Sequence, residues 1–248
     1  MKKKLVMLFL FCFFLLIPSL NLSAEEPVLD IEQYAAEMQP GWNLGNTFDA
    51  LGEDETGWGN PYVTEELIQS IAEQGYQSIR IPITFDERMD LEPDYQIDAD
   101  FLGRVTETVD WSLNAGMKVM INIHHDSWVW LESGMNNDYE QSVARFEAIW
   151  QQLAEHFQDY ELDLMFESIN EPRFAPYDDG EVQELNYLDD LNDRFYQIIR
   201  NSGGNNATRP IVIPTLHTGS DQIYLDRLSE WLEEKDDSYA IAPNSNKR

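Results

Sequence analysis

One cysteine stands among 248 residues, at position 12, inside an N-terminal apolar run. The chain beyond it has no thiol, so it can form neither a disulfide nor a thiolate zinc site. Basic residues are also scarce: 16 Lys and Arg face 46 Asp and Glu, a formal net charge of −30. So acidic a surface repels phosphate backbones and anionic membranes, which argues against a nucleic-acid or membrane-surface role and suits a neutral partner. The sequence has no G-x-G-x-x-G loop, no phosphate-binding G-x-x-x-x-G-K-[ST] loop and no G-x-S-x-G elbow. Nucleotide binding and serine-elbow hydrolysis therefore lack their usual supports.

Long apolar runs are absent after the first, which covers residues 5–17. Lys2, Lys3 and Lys4 precede it, Pro18 breaks it, and Ser23-Ala24 supplies small residues. This is the layout of a secretory signal peptide, expected over residues 1–24 with cleavage after Ala24. The run falls short of the roughly 20 apolar residues a spanning helix needs. The expected protein is therefore secreted, extracellular and free of the membrane once processed. Losing three lysines leaves 13 basic against 46 acidic residues, a charge of about −33. Abundant Trp, Tyr and Phe, 7, 11 and 12 in number, argue against disorder despite that charge.

From residue 40 onward, short β-like runs alternate with longer amphipathic segments. Strands are expected over 40–46, 78–83, 117–125, 162–172 and 209–216, with a sixth beginning at 238–242. Helices are expected over 63–75, 98–116, 139–157, 182–204 and 221–234, several of them capped by Thr or Asp and closed by Gly. Near-continuous apolar strands alternating with helices imply a parallel sheet covered by helices. A doubly wound sheet usually carries a Gly-rich phosphate loop after its first strand, and none is present. A (β/α)₈ barrel instead gathers polar residues at the C-terminal ends of its strands. Asn43, Arg80, His124, His125, Asn170, Glu171 and His217 all fall at or near such ends.

Glu171 is the principal candidate for acid–base work. Pro172 has no N–H and stops the strand behind it, and Asn170 places an amide beside the carboxylate. Arg80, set among β-branched residues, can orient a nearby carboxylate and keep it ionised, or form a buried structural ion pair. The adjacent His124 and His125 invite a metal reading. On a strand, however, neighbouring side chains face opposite ways, so one ion is not expected to take both. Hydrogen bonding to substrate or to a catalytic carboxylate is the preferred role, and no cofactor or metal is expected. Trp42, Trp58, Trp128 and Trp130 lie in or beside the strand-end loops. Trp58 is the preferred sugar-stacking platform, because aromatic faces pack well on the C–H faces of pyranose rings. His217 is a further cleft candidate.

These segments resemble glycoside hydrolase family 5, the cellulase-type retaining glycosidases. The resemblance rests on GWNLGNTFDA (41–50), GWGNP (57–61), IRIPI (79–83), INIHHD (121–126), FESINEPR (166–173) and RPIVIPT (209–215), in order and at ordinary spacing. It is greatest to the secreted bacterial endoglucanases. It implies a (β/α)₈ TIM-barrel type fold and cleavage of β-1,4-glucans, with glucan polysaccharides or oligosaccharides as the partner and a monomeric enzyme. It also implies that Glu171 is the general acid/base, that Asn170 meets the sugar 2-hydroxyl, that Arg80 supports the nucleophile's charge, and that His124 and His125 bound the central subsites. Asn43 and Trp58 join the substrate-binding set.

Retention needs a second carboxylate roughly 5–5.5 Å from the acid, and the family places it on a seventh strand. About five and a half βα units are legible here. Residues 25–248 are therefore expected to form a family 5 catalytic domain incomplete at its C-terminus, with the nucleophile absent from the chain. Glu167 shares a strand with Glu171 but lies four residues back, about 13 Å at 3.3 Å per residue. Asp126 and Asp221 have no supporting context. The alternative reading is a non-catalytic carbohydrate-binding fragment of such an enzyme.

Overall fold

The computed structural model describes residues 29–174 and 181–241. The signal peptide expected at residues 1–24, Cys12 and the residues after 241 lie outside them. Six parallel strands form one sheet in sequential order, β1 (Gly41–Asn43), β2 (Ser78–Ile83), β3 (Lys118–Ile123), β4 (Leu164–Glu167), β5 (Ile211–Val212) and β6 (Ala240–Ile241). The order never reverses, so no switch point of a doubly wound sheet exists among them. Each strand leads over to the next through helices: α2 (Glu65–Glu73), α3 (Ala99–Asn114), α4 (Glu132–Asn137) with α5 (Tyr139–His156), α6 (Glu181–Asn201) and α7 (Gln222–Lys235). This is the (β/α)₈ barrel plan, present in part.

Local chemistry explains the helix starts. Thr64, Asp98 and Asp138 accept hydrogen bonds from the amides of Leu67, Phe101 and Gln141, satisfying donors that a helix leaves open in its first turn. The strands alternate cleanly. Ile79, Ile81, Ile83, Val119, Ile121 and Ile123 are wholly buried in the core that includes helix residues such as Ile68, Val105 and Phe146. Arg80, Met120, Met165, Glu167 and Val212 line the opposite, inner face, around a cavity of about 400 Å³.

Three features differ from expectation. The strand expected over 162–172 stops at Glu167, and β5 is only two residues long. Pro210 and Pro214 bracket β5, and neither can donate to a ladder, so pairing with β4 ends early. A helix not foreseen, α1 (Ile31–Glu37), precedes β1. Its Tyr34 joins Met165 and Val212 in a second apolar cluster and donates its hydroxyl to the Leu162 carbonyl at 2.8 Å. It covers part of the inner face that the sequence reading leaves bare. Finally, a π-helical turn (Ser127–Leu131) runs into α4 directly after β3.

Two buried arginines act as backbone anchors. Arg209 is fully buried and donates to the carbonyls of Phe157, Tyr160, Glu161 and Leu164 and to Asn206 Oδ1. Arg88, also buried, donates to the carbonyls of Phe48, Ala50, Gly52, Asp54 and Thr84. The first ties the approach to β4 against β5. The second gathers the loop that follows β1.

Candidate active site

The strand ends bring most of the expected residues together. Arg80 is the hub. Its Nε donates to Glu167 Oε2 at 2.7 Å, its Nη1 to Asn43 Oδ1 at 3.1 Å and its Nη2 to Asn170 Oδ1 at 2.9 Å. Asn170 has thus turned into the pocket, and its own amide N–H is fixed to the Ile123 carbonyl at 2.8 Å. The carboxylate that Arg80 holds among the described residues is Glu167. Burial pushes the Glu167 pKa up, against the opposing charge of Arg80 and a hydrogen bond from Asn122.

Glu171 leaves the sheet at the rim. Its φ of 40° lies in the left-handed region, which reverses the chain just before Pro172. The side chain is 58% exposed, with Arg173 3.8 Å away; Arg173 also stands 3.8 Å from Glu132 on α4. Two further left-handed residues, His217 (φ 56°) and Thr218 (φ 52°), sit beside it. The His217 amide donates to the Pro172 carbonyl at 2.8 Å, locking the loop after β5 to the loop of Glu171. His217 Nε2 stands 3.5 Å from Glu184. Left-handed conformations are costly for Thr, whose Cβ is branched, and such outliers concentrate at working sites.

The histidine pair differs from expectation. Strand geometry ends at Ile123, so His124 and His125 no longer alternate, and their rings lie 4.5 Å apart. Asp49, which the sequence alone does not single out, joins them: His125 Nε2 is 3.6 Å from its carboxylate. By distance, these three residues could hold a metal ion. Their hydrogen bonds oppose it. Trp128 Nε1 donates to His125 Nδ1 at 2.8 Å, and Asn122 Nδ2 lies 3.2 Å from His124 Nδ1. With both Nδ1 atoms accepting, both Nε2 atoms carry protons and offer donors rather than lone pairs. Burial raises the Asp49 pKa, but hydrogen bonds from His125 and from the Thr47 and Asn46 amides outweigh it and hold it below the usual range.

Burial, with Arg80 and His125 nearby, pushes the His124 pKa down to about 3. The ordinary value is about 6.5. As the pH falls between these values the unfolded chain takes up this proton and the folded chain does not. The stability contributed by neutral His124 is thus complete above about pH 6.5 and lost towards pH 3. Raised carboxylates such as Glu167 act in the opposite sense, so the test is a difference. Denaturant unfolding of the wild type and of His124→Asn across this window should show a shallower acid loss in the variant. Parallel curves would contradict the assignment.

Of the four tryptophans, two form a ledge with His125. The Trp58 ring is 5.2 Å and the Trp128 ring 5.4 Å from the imidazole, and Trp58 is 46% exposed. Trp130 instead donates its indole N–H to Asp126, and Trp42 meets Tyr76 edge-on. Asp126 is fully buried and also accepts the Phe85 amide, which makes it structural. Asp221 is exposed, at the start of α7.

A polar hub, a rim carboxylate and an aromatic ledge thus stand at the C-terminal end of a barrel sheet. The family model for cellulase, glycosyl hydrolase family 5, matches residues 35–247. Endoglucanase B of Paenibacillus lautus is 48% identical over 229 residues, covering 91% of this chain and 40% of that protein. The full-length tri-modular endo-β-1,4-glucanase B of Bacillus halodurans superposes with a TM-score of 0.83 at 49% identity, over 86% of this chain and 40% of the other. A xyloglucan-specific endo-β-1,4-glucanase from a metagenomic library, solved with cellotriose, has a TM-score of 0.77 at 38% identity, covering 86% and 64%. The chain thus spans less than half the length of the Paenibacillus lautus enzyme. With the family model covering most of its length, the chain belongs to glycoside hydrolase family 5, the cellulase family.

Proposed function

We propose that this chain takes part in the hydrolysis of β-1,4-glucans, with Glu171 as general acid/base. The observation that carries the reading is the position of Glu171: an accessible carboxylate on a left-handed turn at the rim, next to the Arg80–Asn170 pair. The glucan would lie over the ledge of Trp58 and Trp128, with the Nε2–H of His124 available to a sugar oxygen. Glu171 would protonate the departing glycosidic oxygen while a second carboxylate attacks the anomeric carbon. It would then take a proton from the water that releases the glycosyl ester. Such a polymer is met outside the cell, which agrees with the export signal read at residues 1–24.

Three of the carboxylates near the hub are engaged elsewhere, which supports the reading that the nucleophile is not among them. Glu167 is clamped by Arg80, Asp49 faces His125 and the amide of Thr47, and Asp126 is enclosed. The expected behaviour is therefore glucan binding without appreciable turnover. Calorimetry should detect cellotetraose binding, weakened roughly 2- to 10-fold by Trp58→Ala, the range of one aromatic contact. Hydrolysis of carboxymethyl-cellulose should stay at background. Robust hydrolysis abolished by Glu171→Gln would mean that a second carboxylate works within the chain. Failure of the wild type to bind would sink the glucan reading itself.

A further inference from the structure

Arg80 settles a question that atom positions alone leave open. A guanidinium has five N–H donors and no acceptor. Any side-chain amide that meets it must turn its oxygen inward, and so its nitrogen outward. Arg80 meets two, Asn43 through Nη1 and Asn170 through Nη2. Neither Nδ2 donates to a partner among the described residues. Asn43 is exposed and Asn170 partly so. The result is two NH₂ groups of fixed polarity facing the cleft.

That polarity depends on the guanidinium staying in place. Its Nε edge is taken by Glu167, whose Oε2 lies 2.7 Å from Nε and 2.6 Å from Nη2. Only 13% of the Glu167 side chain is exposed, and Asn122 donates to it from β3. Glu167 cannot follow Arg80 outward, so it fixes rotation about the Cδ–Nε bond. We propose that Glu167 is a positioning residue. It orients Arg80, Arg80 sets the amide polarity of Asn43 and Asn170, and the two exposed NH₂ groups donate to hydroxyl oxygens of the sugar. The last step rests on the glucan reading above; the first two do not.

The test uses the whole chain and the nearly isosteric Glu167→Gln. A set of monodeoxy cellotrioses is compared with cellotriose. The wild type should lose roughly 3- to 10-fold in affinity for at least one deoxy position, the worth of a single hydrogen bond. In the variant that ratio should fall towards one, while the effect of Trp58→Ala persists. Destabilisation alone would not erase discrimination at one hydroxyl. An unchanged ratio in the folded variant would overturn the proposal. The double variant Arg80→Met/Glu167→Met leaves no orphaned charge and should give the same result if the single variant folds poorly. If the wild type binds no glucan, side-chain amide spectra of the free protein decide. The Nδ2 resonances of Asn43 and Asn170 should shift in Glu167→Gln, and unchanged positions would refute the chain of orientation. Binding failure with shifted amides would strike only the glucan reading.

Discussion

Arg209→Met should lower unfolding stability by about 3–5 kcal/mol, the range for breaking a buried network around a charge. The side chain is fully enclosed and its pKa is pushed down to about 10, chiefly by burial. Its five donors meet four carbonyls and one amide oxygen, from Phe157 to Asn206. Methionine fills similar space but offers none of these donors, and the carbonyls of Phe157 and Leu164 that it abandons are buried. At about 2–4 °C per kcal/mol for a chain of this size, the melting temperature should fall by roughly 10 °C. A drop of under 2 °C would mean that water or a relaxed loop replaces the arginine. Glucan affinity, measured well below the transition, should be unchanged, because the residue touches no part of the cleft.

Arg88→Met should do the reverse in proportion. The same kind of buried cation here gathers the carbonyls of residues 48, 50, 52, 54 and 84. That loop carries Asp49 against His125 and leads to Trp58. Loosening it removes the stacking platform and the orientation of the imidazole together, so cellotetraose affinity should drop roughly tenfold or more. Some stability is lost too, but the binding loss should exceed that of Trp58→Ala alone. An unchanged affinity in Arg88→Met would show that Arg88 supports the fold and not the site.

How far the sequence anticipates this molecule varies by element. The helices are legible because their caps are explicit, as Thr64, Asp98 and Asp138 confirm. The second strand is read to the residue, since SIRIPI alternates between core and inner face. The fourth is overrun because what ends it lies on another strand, in Pro210 and Pro214. The turn from Ser127 into α4 is missed for want of any signal: no side chain caps it, and Trp128, Trp130 and Gly134 do not suggest a helix. At the site, Arg80, Asn170 and Glu171 stand out as polar residues at the ends of apolar runs. Asp49 does not, because it follows a loop whose shape is set by Arg88, 39 positions away in sequence. The meeting of His124 and His125 is hidden for a related reason: alternation holds only while a strand lasts.

The bond from Tyr34 to the Leu162 carbonyl also sets an order in time. The two residues lie 128 positions apart, and Met165 and Val212, which complete the tyrosine's apolar surroundings, are translated later still. Helix α1 therefore precedes every described strand in the chain, yet its seat is complete only once the chain is present through β5. The sheet itself needs only neighbours in sequence, since each strand pairs with the one before it. The first of the described helices in the sequence thus has a seat built from the last strands to be added.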